Sequence, residues 1–373
     1  MKPDPGFLQH LGITLPIIQA PMAGACGAQM VIAVCRAGGL GSLPCAMLSK
    51  EQVFREVKQI RSHTDRPFNL NFFCHGEPDT RHASLEPWKQ TLAPYYRERG
   101  LRMPDDGDRA VRQTFNDEMC RVVEKVRPAV VSFHFGLPGK KLLERVRSAG
   151  SLILSSATTT REARWLESRG VDAVIAQGAE AGGHRGLFLD NSIATQSGTM
   201  TLVPQIADAI GVPVIAAGGI GDGRTMAAAF ALGACCTQIG TAYLYCPEST
   251  ISRLHREALL ASSDESTALT NVYTGRPARG IVNRLLSELG PISDAAPPFP
   301  LAAADLAPLR AASEADGNTD FTPLWSGQGA GLGKPFAGVP AAELTVKLAS
   351  QARAVLEDMK PQGRIVRNWF RSG

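Results

Sequence analysis

Eight short, near-continuously apolar runs recur along this chain, at residues 16–20, 40–43, 68–73, 129–135, 152–155, 173–176, 213–217 and 235–241. Each is parted from the next by a helix-patterned segment or a longer excursion. Ser49-x-x-Gln52 and Thr159-x-x-Glu162 read as helix starts, and Gly38-Gly39, Gly170 and Gly233 read as stops. Strands apolar on both faces belong to parallel sheets covered by crossover helices, and eight such units imply a (β/α)8 TIM barrel. A doubly wound sheet calls for a G-x-G-x-x-G turn after its first strand. None stands there, and Gly219-Ile-Gly221-Asp-Gly223 follows the seventh run with a different spacing.

The formal charge of +4 is small for 373 residues, and the basic residues are spread along the chain. Nucleic-acid and membrane-surface partners, which select clustered basic faces, are therefore set aside. No run reaches the ~18 apolar residues of a membrane span, and the opening Met-Lys-Pro-Asp-Pro lacks the apolar core of a signal peptide. Eight cysteines form no C-x-x-C pair, and Cys235-Cys236 sit within an apolar run. Buried free thiols in a reducing cytoplasm are expected, with no metal site. Residues 74–114 interrupt the rhythm with Pro78, Pro87, Pro94 and Pro104 and the aromatics Trp88, Tyr95 and Tyr96. They read as an excursion over one face of the fold, either a lid or a plain surface insertion.

Chemistry concentrates where strands end. Gly218-Gly219 closes the seventh run and Gln238-Ile239-Gly240-Thr241 the eighth. In barrels these adjacent loops bind phosphate, because glycine lets backbone N–H groups approach an anion. Asp222 beside them reads as a cap for the next helix. A phosphate anchor leaves a sugar phosphate, a nucleotide or flavin mononucleotide (FMN) open. Asn71 and Gln177 at other strand ends, with backbone at Pro21-Met22-Ala23, favour a planar heterocycle. No lysine ends a strand to form a Schiff base, which argues against an aldolase. His184, between Gly182-Gly183 and Arg185-Gly186, is the candidate proton-transfer group, since histidine titrates near neutrality. Glu180 reads as a solvated loop charge, with orientation of His184 as the alternative. His134, at the end of the fourth run, points either into the mouth or into the barrel core. Pro297-Pro298-Phe299-Pro300 reads as a linker.

The stretches 19–24 (Gln-Ala-Pro-Met-Ala-Gly), 37–42 (Ala-Gly-Gly-Leu-Gly-Ser), 177–186 (Gln-Gly-Ala-Glu-Ala-Gly-Gly-His-Arg-Gly), 216–220 and 238–241, taken in order, resemble the nitronate monooxygenases, formerly 2-nitropropane dioxygenases. Arg279-Gly280 and Trp325-Ser-Gly-Gln328 extend the likeness to the class I enzymes. The resemblance covers most of the chain and is weakest over 74–115. It implies an FMN-binding barrel formed by residues 1–241 and 305–373, and a smaller, mainly helical substrate domain over 242–304. Flavin contacts then fall on Met22, Ala23, Asn71, Gln177, Gly182, Gly183, Gly218, Gly219, Gln238, Ile239, Gly240 and Thr241. The active-site histidine falls on His184. Phe299 stands where some relatives carry tyrosine, so a hydroxyl is lost to the substrate if that ring contacts it, and His134 is a second substrate candidate.

The implied activity is oxidation of an alkyl nitronate or nitroalkane, with propionate 3-nitronate as natural substrate, by O2 to a carbonyl compound and nitrite. The implied protein is cytoplasmic, a monomer or homodimer. A related flavin barrel that takes hydride from NAD(P)H to reduce a quinone or an enoyl thioester is the alternative. A flavin-binding sensor without turnover is a third, against which the retained histidine counts.

Overall fold

The computed structural model describes residues 5–76, 85–105 and 114–359. In chain order its strands are β1 (Ile17–Gln19), β2 (Gly41–Pro44), β3 (Phe68–Phe73), β4 (Val130–His134), β5 (Leu152–Ala157), β6 (Ala173–Gln177), β7 (Gly183–His184), β8 (Val214–Ala217), β9 (Cys236–Ile239), β10 (Thr267–Thr270) and β11 (Ala278–Ile281). Eight of them form one parallel sheet in the order β1-β9-β8-β6-β5-β4-β3-β2. Between β1 and the residue leading into β2, Gln19 N–H donates to Leu40 O and Leu40 N–H to Ile17 O, each at 2.9 Å. The sheet so closes on itself as the expected TIM barrel.

Side chains alternate along the strands with the two-residue period of extended backbone. Ile18, Leu40, Val130, Leu154, Ile175 and Ile215 turn inward and pack with Phe7, Leu11 and Ile13. The helix Pro5–Leu11 thereby plugs one end of the barrel. The neighbouring Ile17, Leu43, Val131, Ile153, Val174 and Val214 face outward into the shell of helices. Beyond the plug the interior turns polar. Asn69 Nδ2 donates to Ser42 Oγ (3.0 Å) and Ser132 Oγ (2.8 Å), and Ser42 N–H donates to Gln19 Oε1 at 2.9 Å.

Local signals act largely as read. Ser49 and Gln52 form a reciprocal capping box on Lys50–His63, and Asp222 caps Gly223–Ala231. Thr159 caps Thr160–Glu167, but Glu162 sends its carboxylate to Thr158 and to the N–H groups of Phe188 (2.6 Å) and Leu189 (3.2 Å). The last described helix, Ala341–Asp358, packs on both Ala28–Arg36 and Gly223–Ala231.

A second apolar cluster lies outside the barrel. The helix Glu86–Glu98 buries Trp88, Leu92, Tyr95 and Tyr96 against Tyr273, Leu285, Leu306, Leu309 and Phe321. Trp88 Nε1 donates to Ala302 O at 3.3 Å and Tyr96 O–H to Asp305 O at 2.6 Å. The described centre of the 74–114 excursion is therefore a helix packed on the region after the barrel. Pro78 and the flanking residues 77–84 and 106–113 lie outside the described residues. The boundary drawn at residue 304 falls inside the helix Ala302–Ala315, because Leu306 and Leu309 share this cluster. Phe299 is 7% exposed, so the segment read as a linker is tucked in at this residue. It holds a cis Phe299–Pro300 bond, and Gly275, at φ +82°, lies so close to Pro297 O that no Cβ fits between them. None of the eight cysteines is in a disulfide, and seven of them are buried. Among the described residues no helix is long and apolar enough to cross a membrane.

Candidate active site

The C-terminal ends of the barrel strands open into a cavity of about 590 Å³, within the usual size of a ligand pocket. Met22 and Ala23 line it after β1, Asn71 on β3, His134 on β4, and Gln177 on β6. Gly182, Gly183 and His184 follow, with Gly218 and Gly219 after β8 and Gln238, Gly240 and Thr241 around the end of β9. Of the sequence candidates, two stand off the wall. Ile239 points into the helical shell, and Phe299 lies behind His184, ring centroids 5.4 Å apart.

His184 does not sit on a loose loop. β7 pairs antiparallel with β11, Ala278 opposite His184 and Arg279 opposite Gly183, and β11 pairs with β10. This three-stranded sheet fastens the loop after β6 to the region after the barrel. The imidazole Nε2 lies 2.9 Å from Thr274 Oγ1. Phe73, Phe135, Phe299 and Trp325 surround the ring at centroid distances of 6.2, 6.0, 5.4 and 5.5 Å. Phe135 holds its place with a left-handed φ of 71°, rare for a bulky residue, under the guanidinium of Arg276 at 3.8 Å.

His134 turns into the mouth. Its Nε2 lies 3.2 Å from His184 O and its Nδ1 3.0 Å from Ser156 Oγ. A carbonyl only accepts, so Nε2 carries the proton and Ser156 donates to Nδ1. Burial pushes the His134 pKa down to about 3, with Arg276 and Arg185 adding to the shift against the opposing hydrogen bond to His184 O. His134 is thus a neutral clamp on the His184 main chain. Gln177 is a second: its Nε2 donates to His184 O (3.0 Å) and its Oε1 accepts from Gly186 N–H (2.7 Å).

The two charges flanking His184 are structural. Arg185 is fully buried and donates to Gly178 O (2.5 Å), Gln177 O (2.7 Å) and Gln196 Oε1 (2.9 Å). Burial lowers its pKa to about 10, which leaves it cationic at neutral pH. Glu180, read as solvated, is half-buried, and its carboxylate accepts from Thr199 N–H and Oγ1 at 2.8–2.9 Å. It anchors the next helix because those donors satisfy the charge better than an open loop would. The His184 ring is bonded by Thr274 rather than by Glu180.

The remaining wall is built for an acceptor-rich ligand. Among the described residues, no protein group accepts from the N–H groups of Gly218, Gly219 or Gly240. Gln238 Oε1 is buried beside them without a hydrogen-bond partner. The glycine-rich loop after Trp325 closes over this cradle. Gln328 N–H donates to Glu180 O (3.0 Å) and Gly327 N–H to Thr241 Oγ1 (2.9 Å). A Cβ on Gly182 would lie 2.5 Å from Gly327 N. Sequence reasoning noticed this loop but gave it no site residue. It also missed Tyr273, Thr274 and the cavity-lining His255. His255 Nε2 bonds Trp325 O at 3.2 Å, and burial lowers its pKa to about 4.

Comparison with known proteins places this architecture. The sequence model of the nitronate monooxygenase family matches residues 6–350. The chain is 39% identical to a nitronate monooxygenase of Paraburkholderia phytofirmans, covering 95% of this chain and 96% of that one. It is 40% identical to a nitronate monooxygenase of Pseudomonas aeruginosa, over 93% and 99%. Among solved structures, nitroalkane oxidase from Streptomyces ansochromogenes superposes with a TM-score of 0.85 at 38% identity, over 94% and 99% of the two chains. FabK from Thermotoga maritima superposes at 0.72 and 25%, over 98% of each. By the match along nearly its whole length and the identity to these relatives, the chain belongs to the nitronate monooxygenase family.

Proposed function

We propose that this protein is an FMN-dependent nitronate monooxygenase that oxidises alkyl nitronates with O2 to a carbonyl compound and nitrite, with propionate 3-nitronate as its substrate. The observation that carries this reading is His184, bonded to Thr274 and walled by aromatic rings, on the same cavity as a cradle of unused backbone donors. The residues fit a flavin nucleotide. Gly218, Gly219 and Gly240 offer N–H groups to a phosphate, and Gln238 Oε1 offers an acceptor to a ring N–H or ribityl hydroxyl. Met22, Ala23, Asn71, Gln177, Gly182, Gly183 and Thr241 complete the lining. Bound there, a flavin would supply the one-electron redox chemistry between nitronate and O2 that no side chain of this cavity provides.

The chain's own residues bind and manage the proton. A protonated His184 pairs with an anionic nitronate, and the surrounding rings keep water from screening that attraction. A neutral His184 takes the α-proton from a neutral nitroalkane. The two substrates therefore call for opposite protonation states of one residue. Turnover of a nitronate falls with rising pH where turnover of a nitroalkane climbs.

The test is the flavin spectrum under anaerobic conditions. Prompt one-electron reduction by propionate 3-nitronate, with NADH and NADPH inert, supports the monooxygenase. Full reduction by a nucleotide with the nitronate silent assigns the barrel to the NAD(P)H-dependent reductases instead. A preparation that neither carries nor takes up flavin overturns the cofactor.

A further inference from the structure

We propose that Thr274 is a positioning residue that holds His184 as the Nε2-protonated tautomer, so that Nδ1 is the atom that gains and loses the catalytic proton. The inference rests on the proposed role of His184 and adds the atom at which that role is played.

A threonine hydroxyl has one proton to give and two lone pairs to receive. Around Thr274 Oγ1 stand three groups: Arg276 O at 3.3 Å, Arg276 N–H at 3.4 Å and His184 Nε2 at 2.9 Å. The carbonyl only accepts and the amide only donates. The hydroxyl proton therefore goes to Arg276 O, one lone pair takes the amide, and the other faces Nε2 as an acceptor. Nε2 must then carry hydrogen. Were the hydroxyl turned to donate to Nε2, Arg276 O would lose this donor, which is costly for a half-buried carbonyl.

This arrangement serves both charge states of the ring without reorganisation. Neutral or cationic, His184 presents an Nε2–H to the same lone pair, so the change of charge is confined to Nδ1. The hydroxyl cannot drift, because Thr274 is 3% exposed and its turn is pinned from several sides. Thr274 N–H and Gly275 N–H both donate to Asn271 O, and Asn271 is bonded reciprocally to Ser293 at 2.9 Å. Gly275 lies against Pro297 O, where only a glycine fits. The main chain of His184 is fixed independently by His134 and Gln177. Ring and backbone are thus held by different elements, and Thr274 governs only the ring.

The test uses full-length protein labelled with ¹⁵N-histidine, the His184 signals being assigned by their loss in His184→Gln. In the neutral ring we expect a pyrrole-type shift at Nε2 and a pyridine-type shift at Nδ1. Thr274→Val should mix the tautomers and Thr274→Ser should restore the pattern. In turnover, Thr274→Val should lower kcat/KM for a neutral nitroalkane by roughly threefold to tenfold, the worth of one hydrogen bond, with Thr274→Ser near wild type. A pyridine-type Nε2 in the wild-type protein overturns the proposal, as does a valine variant with unchanged shifts. If the valine variant fails to fold, the wild-type spectrum and the serine variant still decide. The expected tautomer in a protein that consumes no nitroalkane would uphold the positioning role and overturn the functional reading instead.

Discussion

At His184 the protein separates two jobs that a single side chain usually shares. Backbone clamps from His134 and Gln177 set where the residue is, and Thr274 sets how its ring turns. Replacing the ring should consequently remove chemistry without removing the site. His184→Asn is expected to cut nitroalkane turnover by about 10²–10⁴, the usual worth of a general base, with flavin content unchanged; steady-state rates beside an absorbance ratio check both. The two other cavity histidines make a separate prediction. Burial holds His134 near 3 and His255 near 4, below the ~6.5 of an unfolded chain. Each binds fewer protons folded than unfolded, so stability is full above about pH 6.5 and falls as pH drops toward 4. Between pH 7 and pH 5 the melting temperature should drop, and His255→Gln should lessen that drop. An equal drop in the variant would show that His255 contributes nothing to it.

At the scale of elements, what the sequence reveals depends on how much of an element's logic is local. The eight barrel strands are legible because most are near-continuously apolar and each is flanked by its own helix or turn signals. β7 and β11 are not: Gly-His and Ala-Arg-Gly-Ile have no strand pattern, and they pair only because the fold brings residues 183–184 and 278–281 together. The same holds for side chains. His184 and the cradle glycines are visible as motifs, whereas the partner of His184 lies 90 residues away, at Thr274. Glu180 looks solvated in a glycine-rich loop until Thr199 arrives to meet it. The loop that closes the cradle gives a sharp prediction. Gly182→Ala places a methyl group 2.5 Å from the backbone of Gly327. It should cost about 1–3 kcal/mol, read as weaker flavin retention on dilution. Gly331→Ala in the short helix Ala330–Gly333 that follows, where a Cβ meets nothing within 4 Å, should leave retention unchanged.

For the whole molecule, the barrel divides stability from chemistry along its axis. The plug of Phe7, Leu11 and Ile13 fills one end, a polar layer of Gln19, Ser42, Asn69 and Ser132 follows, and the cavity opens at the other. Leu11→Ala, at 2% exposure, should lower stability by about 2–5 kcal/mol, measured by denaturant midpoint. KM for the nitronate should stay put, since none of Phe7, Leu11 and Ile13 itself lines the cavity. A change in KM would mean that the polar layer transmits the defect.

The closure of the barrel also has a consequence in time. β1 completes its hydrogen bonding on β9, so the ring cannot shut until residue 239 has left the ribosome. At about 5–20 residues per second, that is roughly 10–50 s after synthesis begins. The cradle waits longer, for Gly327 and Gln328, and the seam between Ala28–Arg36 and Gly223–Ala231 waits for the helix Ala341–Asp358. Through that interval the nascent chain carries an open row of apolar parallel strands. Its yield in a cell should therefore depend on chaperones that shield unfinished sheets more than on the stability of the finished protein.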